Sequence, residues 1–243
     1  MEKTDEIAPA VVGVSQDFST YVPNIPSKDI DVTKIPLDSF RSMKTQFPTE
    51  TDTKIAQFLI ARNYKVEEAS KLLAAHHQWR SETLPLNKAA FANEMSKGKA
   101  YFIGYDKDGH PVLMYVTRQH NPKERDMKEL AQLFFFWAEF LISKLPADRS
   151  KVTLLVNRVG SGFSNFDQEF MKQFAKVVQD NYPELLDKAI VAPSNLIFQT
   201  VWAIARIFLD PVTQSKVKLC MFQSGINEWL DPQIIPEELV SNV

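Results

Sequence analysis

A chain of 243 residues, 44% hydrophobic and 24% charged, is long enough to bury a sizeable core and too apolar to stay disordered. Its formal net charge of -2 lacks the basic excess of a nucleic-acid binder, and its single cysteine, Cys220, excludes an internal disulfide or a zinc cluster. Met1 to Ala10 is acidic without an apolar run, which argues against a secretory signal, and no stretch approaches the roughly 20 apolar residues of a membrane span. A soluble, cytoplasmic protein is expected. Phenylalanine occurs 17 times against 7 glycines. Such side chains fill a core or line a cavity, and composition alone does not choose between them.

Residues 1–47 read as a largely extended N-terminal tail, since five of the 14 prolines fall before residue 49 and only Leu37 to Phe47 has helical character. Residues 48–98 read as a helical subdomain. Ile55, Phe58 and Leu59 follow helical spacing up to Asn63, and a second stripe (Val66, Ala69, Leu72, Leu73, Trp79) runs until Pro85. Residues 99–243 read as an α/β domain. Two strand-like runs, Tyr101 to Tyr105 and Pro111 to Thr117, flank the turn Asp106-Lys107-Asp108-Gly109. A helix from Lys123 to Lys144 follows. Strand Val152 to Asn157, helix Asn165 to Asn181, strand Lys188 to Ala192, helix Leu196 to Leu209 and strand Val217 to Phe222 then alternate. That alternation predicts parallel pairing with right-handed crossovers. The fold class is α/β, a small helical subdomain followed by a mainly parallel sheet with flanking helices.

Catalytic constellations are missing from the pattern. His76 and His77 are adjacent on one helix and point about 100° apart, poor geometry for a shared metal, so they read as surface or partly packed side chains. Gly160-Ser161-Gly162 follows a strand but lacks both the third glycine of a dinucleotide fingerprint and the lysine of a P-loop. It reads as a strand-to-helix turn capped by Ser164 or Asn165. No carboxylates cluster in an apolar setting, and neither a catalytic residue, a metal nor a cofactor is expected. What stands out is the helix from Leu196, with Phe198, Val201, Trp202, Ile204 and Phe208 around most of its circumference and Arg206 as its one charge. Such a helix is a core element, or a lid facing something oily.

The sequence resembles the CRAL-TRIO family from about Thr53 to Leu239. The resemblance rests on Phe58-Leu59-Ile60-Ala61-Arg62-Asn63-Tyr64-Lys65-Val66, on Asp106-Lys107-Asp108-Gly109-His110-Pro111-Val112, on Asn181-Tyr182-Pro183-Glu184, and on Phe208-Leu209-Asp210-Pro211-Val212-Thr213-Gln214-Ser215-Lys216. It implies a non-enzymatic carrier that extracts and exchanges single membrane lipids, with Leu196 to Leu209 as a gate over a lipid pocket. Position by position, it implies a phosphatidylinositol headgroup site at Arg62, Glu184, Asp210, Thr213 and Lys216. Cations suit a phosphodiester, while a hydroxyl and a carboxylate suit inositol hydroxyls. Asp210 before Pro211 is also a natural helix N-cap, which puts Thr213 and Lys216 on one face.

Where the family binds a choline headgroup with tyrosines and a serine/threonine pair, this chain has Phe102, Leu113, Val152 and Leu154, which disfavours phosphatidylcholine. These four, with Phe198, Val201, Trp202, Ile204 and Phe208, are the expected pocket and gate residues. Two further departures are Asn157, in place of a common aspartate, and the ending Val240-Ser241-Asn242-Val243. The ligand alternatives are an apolar cargo of retinoid, tocopherol or sterol type, or an interaction module with a vestigial pocket. The expected partners are a membrane lipid and, transiently, a membrane surface, with no nucleic acid; the tail is a candidate for contacting a protein, and the chain is expected to act as a monomer.

Overall fold

The structure, a computed structural model, describes residues 17–221 and 223–241. The first 16 residues of the expected tail and Phe222 of the last expected strand lie outside the described residues. Three helices come first: α1 (Leu37–Gln46), α2 (Asp52–Ile60) and α3 (Val66–Thr83). Phe40 and Met43 of α1 share one buried cluster with Ile55, Phe58 and Leu59 of α2 and Ala69 and Leu73 of α3, and Ile30 joins it from the preceding segment. Part of the proline-rich stretch therefore helps to build the core of the helical layer. Thr51 caps α2 by accepting from the Lys54 amide, which satisfies one of the orphan donors of a helix start.

The short helix α4 (Ala92–Ser96) leads into a sheet of five strands: β1 (Ala100–Tyr105), β2 (Pro111–Val116), β3 (Val152–Asn157), β4 (Leu186–Ala192) and β5 (Val217–Leu219). Their spatial order equals their chain order; β1 and β2 are antiparallel and every later pair is parallel. The hairpin turn closes with Gly109 at φ 86°, a left-handed conformation that glycine adopts without a Cβ clash. Because the parallel strands are added in one direction by right-handed crossovers, their connecting helices fall on one face. These are α5 (Met127–Ser143), α6 (Gln168–Asn181), α7 (Leu196–Ala205) and the single turn α8 (Pro211–Ser215).

The boundaries shift from expectation for reasons of capping. Asp126 caps α5 through the Glu129 amide, so that helix starts after Lys123. The cap of α6 is Asp167, bonded to the Phe170 amide, and not Ser164 or Asn165. The expected helix to Leu209 tightens after Ala205 into a 3-10 turn over Arg206–Phe208.

Alternation along the strands sorts the sheet's two faces. Val112, Met114, Val116, Leu155 and Ile190 point to one face and are covered by Ile226, Leu230, Ile235 and Leu239 of the C-terminal segment, which includes α9 (Gln223–Asn227) and α10 (Glu237–Ser241). Phe102, Leu113, Tyr115, Val152 and Leu154 point to the other, under α5, α6 and Trp79 of α3. Trp79 meets Phe135 and Tyr182 edge-on with ring centroids 5.2 and 5.6 Å away, while Arg80 grips Glu139 at 2.8 and 3.2 Å. Aromatic contacts plus a two-pronged ion pair thus lock the helical layer onto the sheet domain.

Candidate functional site

The last turn of α6 gathers most of the expected headgroup residues. Arg62 lies in the turn between α2 and α3, where Asn63 and Tyr64 take left-handed φ values of 49° and 62°. Its Nη2 reaches Asp180 of α6 at 3.5 Å and its Nη1 donates to the Ala61 carbonyl at 2.9 Å. One residue before Asp180, Gln179 donates to Asp210 at 3.0 Å. Asp210 is the N-cap of α8, with Pro211 in its first turn: one carboxylate oxygen accepts the Thr213 amide at 2.9 Å and the other the Thr213 hydroxyl at 2.6 Å. Burial would raise its pKa, but these bonds hold it below the ordinary aspartate value. Beyond α6, Glu184 sits at φ 56° and accepts from Lys216 at 3.3 Å. Both members of that pair are mostly buried, at 16% and 21% side-chain exposure.

Arg62 and Asp210 thus meet adjacent residues of α6, which point about 100° apart, and Lys216–Glu184 is a separate pair just past its end. The same helix is apolar along its inner side. Phe174, Val177 and Val178 pack on the cluster that contains Leu113 and Val152, and Tyr182 belongs to it. The region is polar at its end and oily along its length.

The expected pocket residues form two groups. Phe102, Leu113 and Leu154 stand in one row across β1, β2 and β3, with Ala189 of β4 next in register. Val152 joins the same cluster beneath α5. Phe198 and Val201 of α7 are buried against Val191, with Trp202 packed alongside. Ile204 and Phe208 are half-buried, whereas Ile207 is 74% and Val212 56% exposed. An apolar cleft of about 350 Å³ opens between α5 and α6, lined by Met127, Ala131, Phe135, Phe170, Phe174 and Val177. None of the nine expected pocket and gate residues lines it. On α5 itself, Trp137 Nε1 is buried with no hydrogen-bond partner among the described residues.

Several buried polar groups escaped the sequence reading. His76 is not a surface residue; it is 2% exposed, and burial lowers its pKa to about 4. His110 and His120 are equally buried. One carboxylate is fully buried: Asp106 accepts from Thr153 at 2.6 Å and Lys188 at 2.9 Å, and from His110 at 3.3 Å. Burial would lower the pKa of His110, but bonds to Asp106 and Asp29 overcome this and raise it. The group Asp106, Asp108, His110 and Asp187 has metal-like spacing, yet the Lys188 ammonium lies within 2.6–3.0 Å of its three carboxylates and acts as its cation.

A second network binds Glu94 to Lys99, whose ammonium donates to His120 Nδ1 at 3.1 Å. His120 Nε2 then carries the hydrogen and donates to Asp167 at 3.1 Å, where Arg125 also bonds at 2.6 Å. This ties the starts of α5 and α6 together. A polar cleft of about 450 Å³ adjoins it, lined by Lys97, Arg118, His120, Asn121, Ser164 and Asn165 among others. The only sequence signal for either network was charge inside or beside strand-like runs.

Residues 95–239 match the family model described as CRAL/TRIO domain. A CRAL-TRIO domain-containing protein of Schizosaccharomyces pombe, C365.01, is 30% identical over 200 residues, covering 76% of this chain and 56% of the relative. The phosphatidylinositol transfer protein CSR1 of Eremothecium gossypii is 24% identical over 228 residues, covering 87% of this chain and 51% of its own. The chain thus spans about half the length of these relatives. The crystal structure of Sfh5 superposes with a TM-score of 0.60 at 17% identity over 75% of this chain and 70% of that one, a likeness of fold.

Proposed function

The chain belongs to the CRAL-TRIO family, and from that premise we propose that it extracts single lipids from a membrane and exchanges them, phosphatidylinositol foremost. The observation that carries this reading is that Arg62 and Asp210 meet adjacent residues at the end of α6, with the Lys216–Glu184 pair just beyond that end and the apolar layer under α5 alongside. Arg62 and Lys216 would exchange their carboxylate partners for the lipid phosphate, and Glu184 and Thr213 would bond inositol hydroxyls. Asp210 would act by holding Thr213 and the start of α8. Trp137 Nε1 is a donor that an ester carbonyl would satisfy. The relative named as a phosphatidylinositol transfer protein supports the same choice of lipid.

Transfer needs no bond making. Each methylene moved out of water gains roughly 0.8 kcal/mol, but a bilayer offers nearly the same gain as a protein interior. Exchange therefore runs close to balance, and headgroup bonds of about 1–3 kcal/mol suffice to select the lipid. The helix α7 would serve as the gate, and the exposed Ile207, Val212 and Met221 near it would meet the membrane.

A second reading, an apolar cargo, is favoured by the unbroken row Phe102, Leu113, Leu154, which offers no polar anchor across three strands. One experiment separates the two. Lipids co-purified with the native chain are identified by mass spectrometry, and transfer from phosphatidylinositol-doped vesicles is measured for wild type and Lys216→Ala. Bound phosphatidylinositol and a loss of about tenfold or more in the variant are expected. A sterol or isoprenoid in the pocket, or unchanged transfer, rules the headgroup assignment out.

A further inference from the structure

We infer that Asp180 is a positioning residue of the headgroup site, a built-in counter-anion that sets, through Arg62, how much negative charge a bound headgroup is allowed to carry. The inference rests on the headgroup reading above and extends it to a residue outside the motifs that suggested it.

The starting point is a placement that helix electrostatics disfavours. Asp180 lies in the last turn of α6, next to the final residue Asn181, where the helix dipole is negative and cations are the favoured side chains. Two cations offset the misfit. Lys176, one turn earlier, reaches Asp180 at 2.9 Å but is 80% exposed, so water screens most of that pair. Arg62 arrives from a separate layer of the fold and is 29% exposed, with Asp180 at 35%. The Arg62–Asp180 contact is 3.5 Å, long for a charge-assisted hydrogen bond. The guanidinium is also anchored by the Ala61 carbonyl at 2.9 Å, so it keeps its place when Asp180 lets go.

A phosphodiester approaching Arg62 meets this carboxylate at close range. One negative charge is tolerated, because the Arg62 guanidinium exchanges its long contact with Asp180 for the phosphate while it keeps its bond to the Ala61 carbonyl. Each further phosphate adds repulsion from the same carboxylate, and from Glu184 beside Lys216. Coulomb energy scales with the product of charges, so the penalty multiplies with headgroup charge. The site thereby discriminates against phosphorylated inositol lipids in favour of the unphosphorylated one.

The test uses the full chain and its variant Asp180→Asn, which keeps shape and hydrogen bonding but removes the charge. Transfer is measured from phosphatidylcholine vesicles doped with phosphatidylinositol or with its singly phosphorylated form, at two salt concentrations. The variant is expected to raise phosphatidylinositol transfer roughly threefold and that of the phosphorylated lipid by about tenfold, both gains shrinking at high salt. Lys176→Gln, on the exposed side, should move the ratio of the two lipids the opposite way. A structural role alone would change both lipids equally. An unchanged ratio in both variants overturns the inference while leaving the headgroup site intact. Wild-type phosphatidylinositol transfer in Lys216→Ala would overturn the site itself, and Asp180 with it.

Discussion

The two faces of the central sheet carry similar side chains but are closed differently. On one face, Val112, Leu155 and Ile190 are fully buried, and so are Ile226, Leu230 and Leu239 that cover them. On the other, Leu154, Val156 and Tyr115 remain partly accessible although three helices lie over them. A contiguous C-terminal segment seals the first face. The second is roofed by separate helices, whose ends are tied by ion pairs and whose interior holds an unpartnered Trp137. The first face is closed by one continuous segment, whereas the second is closed by helices from several parts of the chain. Stability should therefore reside on one side and lipid handling on the other.

The strongest challenge to this contrast comes from the sealed side. Asp106→Ala leaves Lys188, Thr153 and His110 without their shared acceptor, and breaking such a buried pair costs about 3–5 kcal/mol. Chemical denaturation should show that loss, whereas a change under about 1 kcal/mol would mean the cluster contributes little. Next, Leu230→Ala is expected to cost about 3 kcal/mol through the cavity it leaves, and Leu154→Ala about half as much because its site is already partly open. The asymmetry should reverse in a vesicle transfer assay, with Leu154→Ala the more impaired. Equal stability losses and equal transfer would erase the distinction between faces.

Acid should sharpen it. His76 packs between Phe58 and Trp79, and burial holds its folded pKa at about 4 against 6.5 when unfolded. The unfolded chain thus binds more protons as pH falls, so the stabilisation present above pH 6.5 is lost between about 6.5 and 4, roughly 2 kcal/mol after allowing for screening. His110 has the opposite sign. Its folded pKa is raised, so its contribution is complete below about 6.5 and fades as pH climbs through that raised value. Unfolding midpoints followed from pH 4 to 9 should therefore fall at both ends, with the acid limb flattened in His76→Phe and the alkaline limb in His110→Gln. Profiles identical to wild type would dissociate these histidines from stability.

The smallest effect is expected at Ile207→Asp. At 74% exposure the change should alter stability by less than about 0.5 kcal/mol while reducing binding to vesicles. Undiminished vesicle binding would separate the exposed turn after α7 from membrane contact.

Much of this architecture was written locally. Periodicity marked α2, α3 and the parallel strands, because one buried face leaves a repeating apolar signal. Asp210 before Pro211 announced its cap, since capping involves only neighbours in the chain. Less visible was the role of Ile30 and Phe40, whose apolar contacts lie on helices further along. The C-terminal cover was hidden as well, because α9 and α10 are too short to show a period.

The sequence by itself determined the order of strands and helices and the apolar faces, and its family resemblance supplied the candidate set Arg62, Glu184, Asp210, Thr213 and Lys216. Only the tertiary structure decided that Asp180 contacts Arg62 and Gln179 contacts Asp210, that His110 and His120 are buried within charge networks, and that Lys188 stands where a metal might have been sought. The reason is physical. Propensity and capping act over a few residues, whereas a buried charge is tolerated only by partners the fold brings from far away, and here Asp106 and Lys188 stand 82 positions apart.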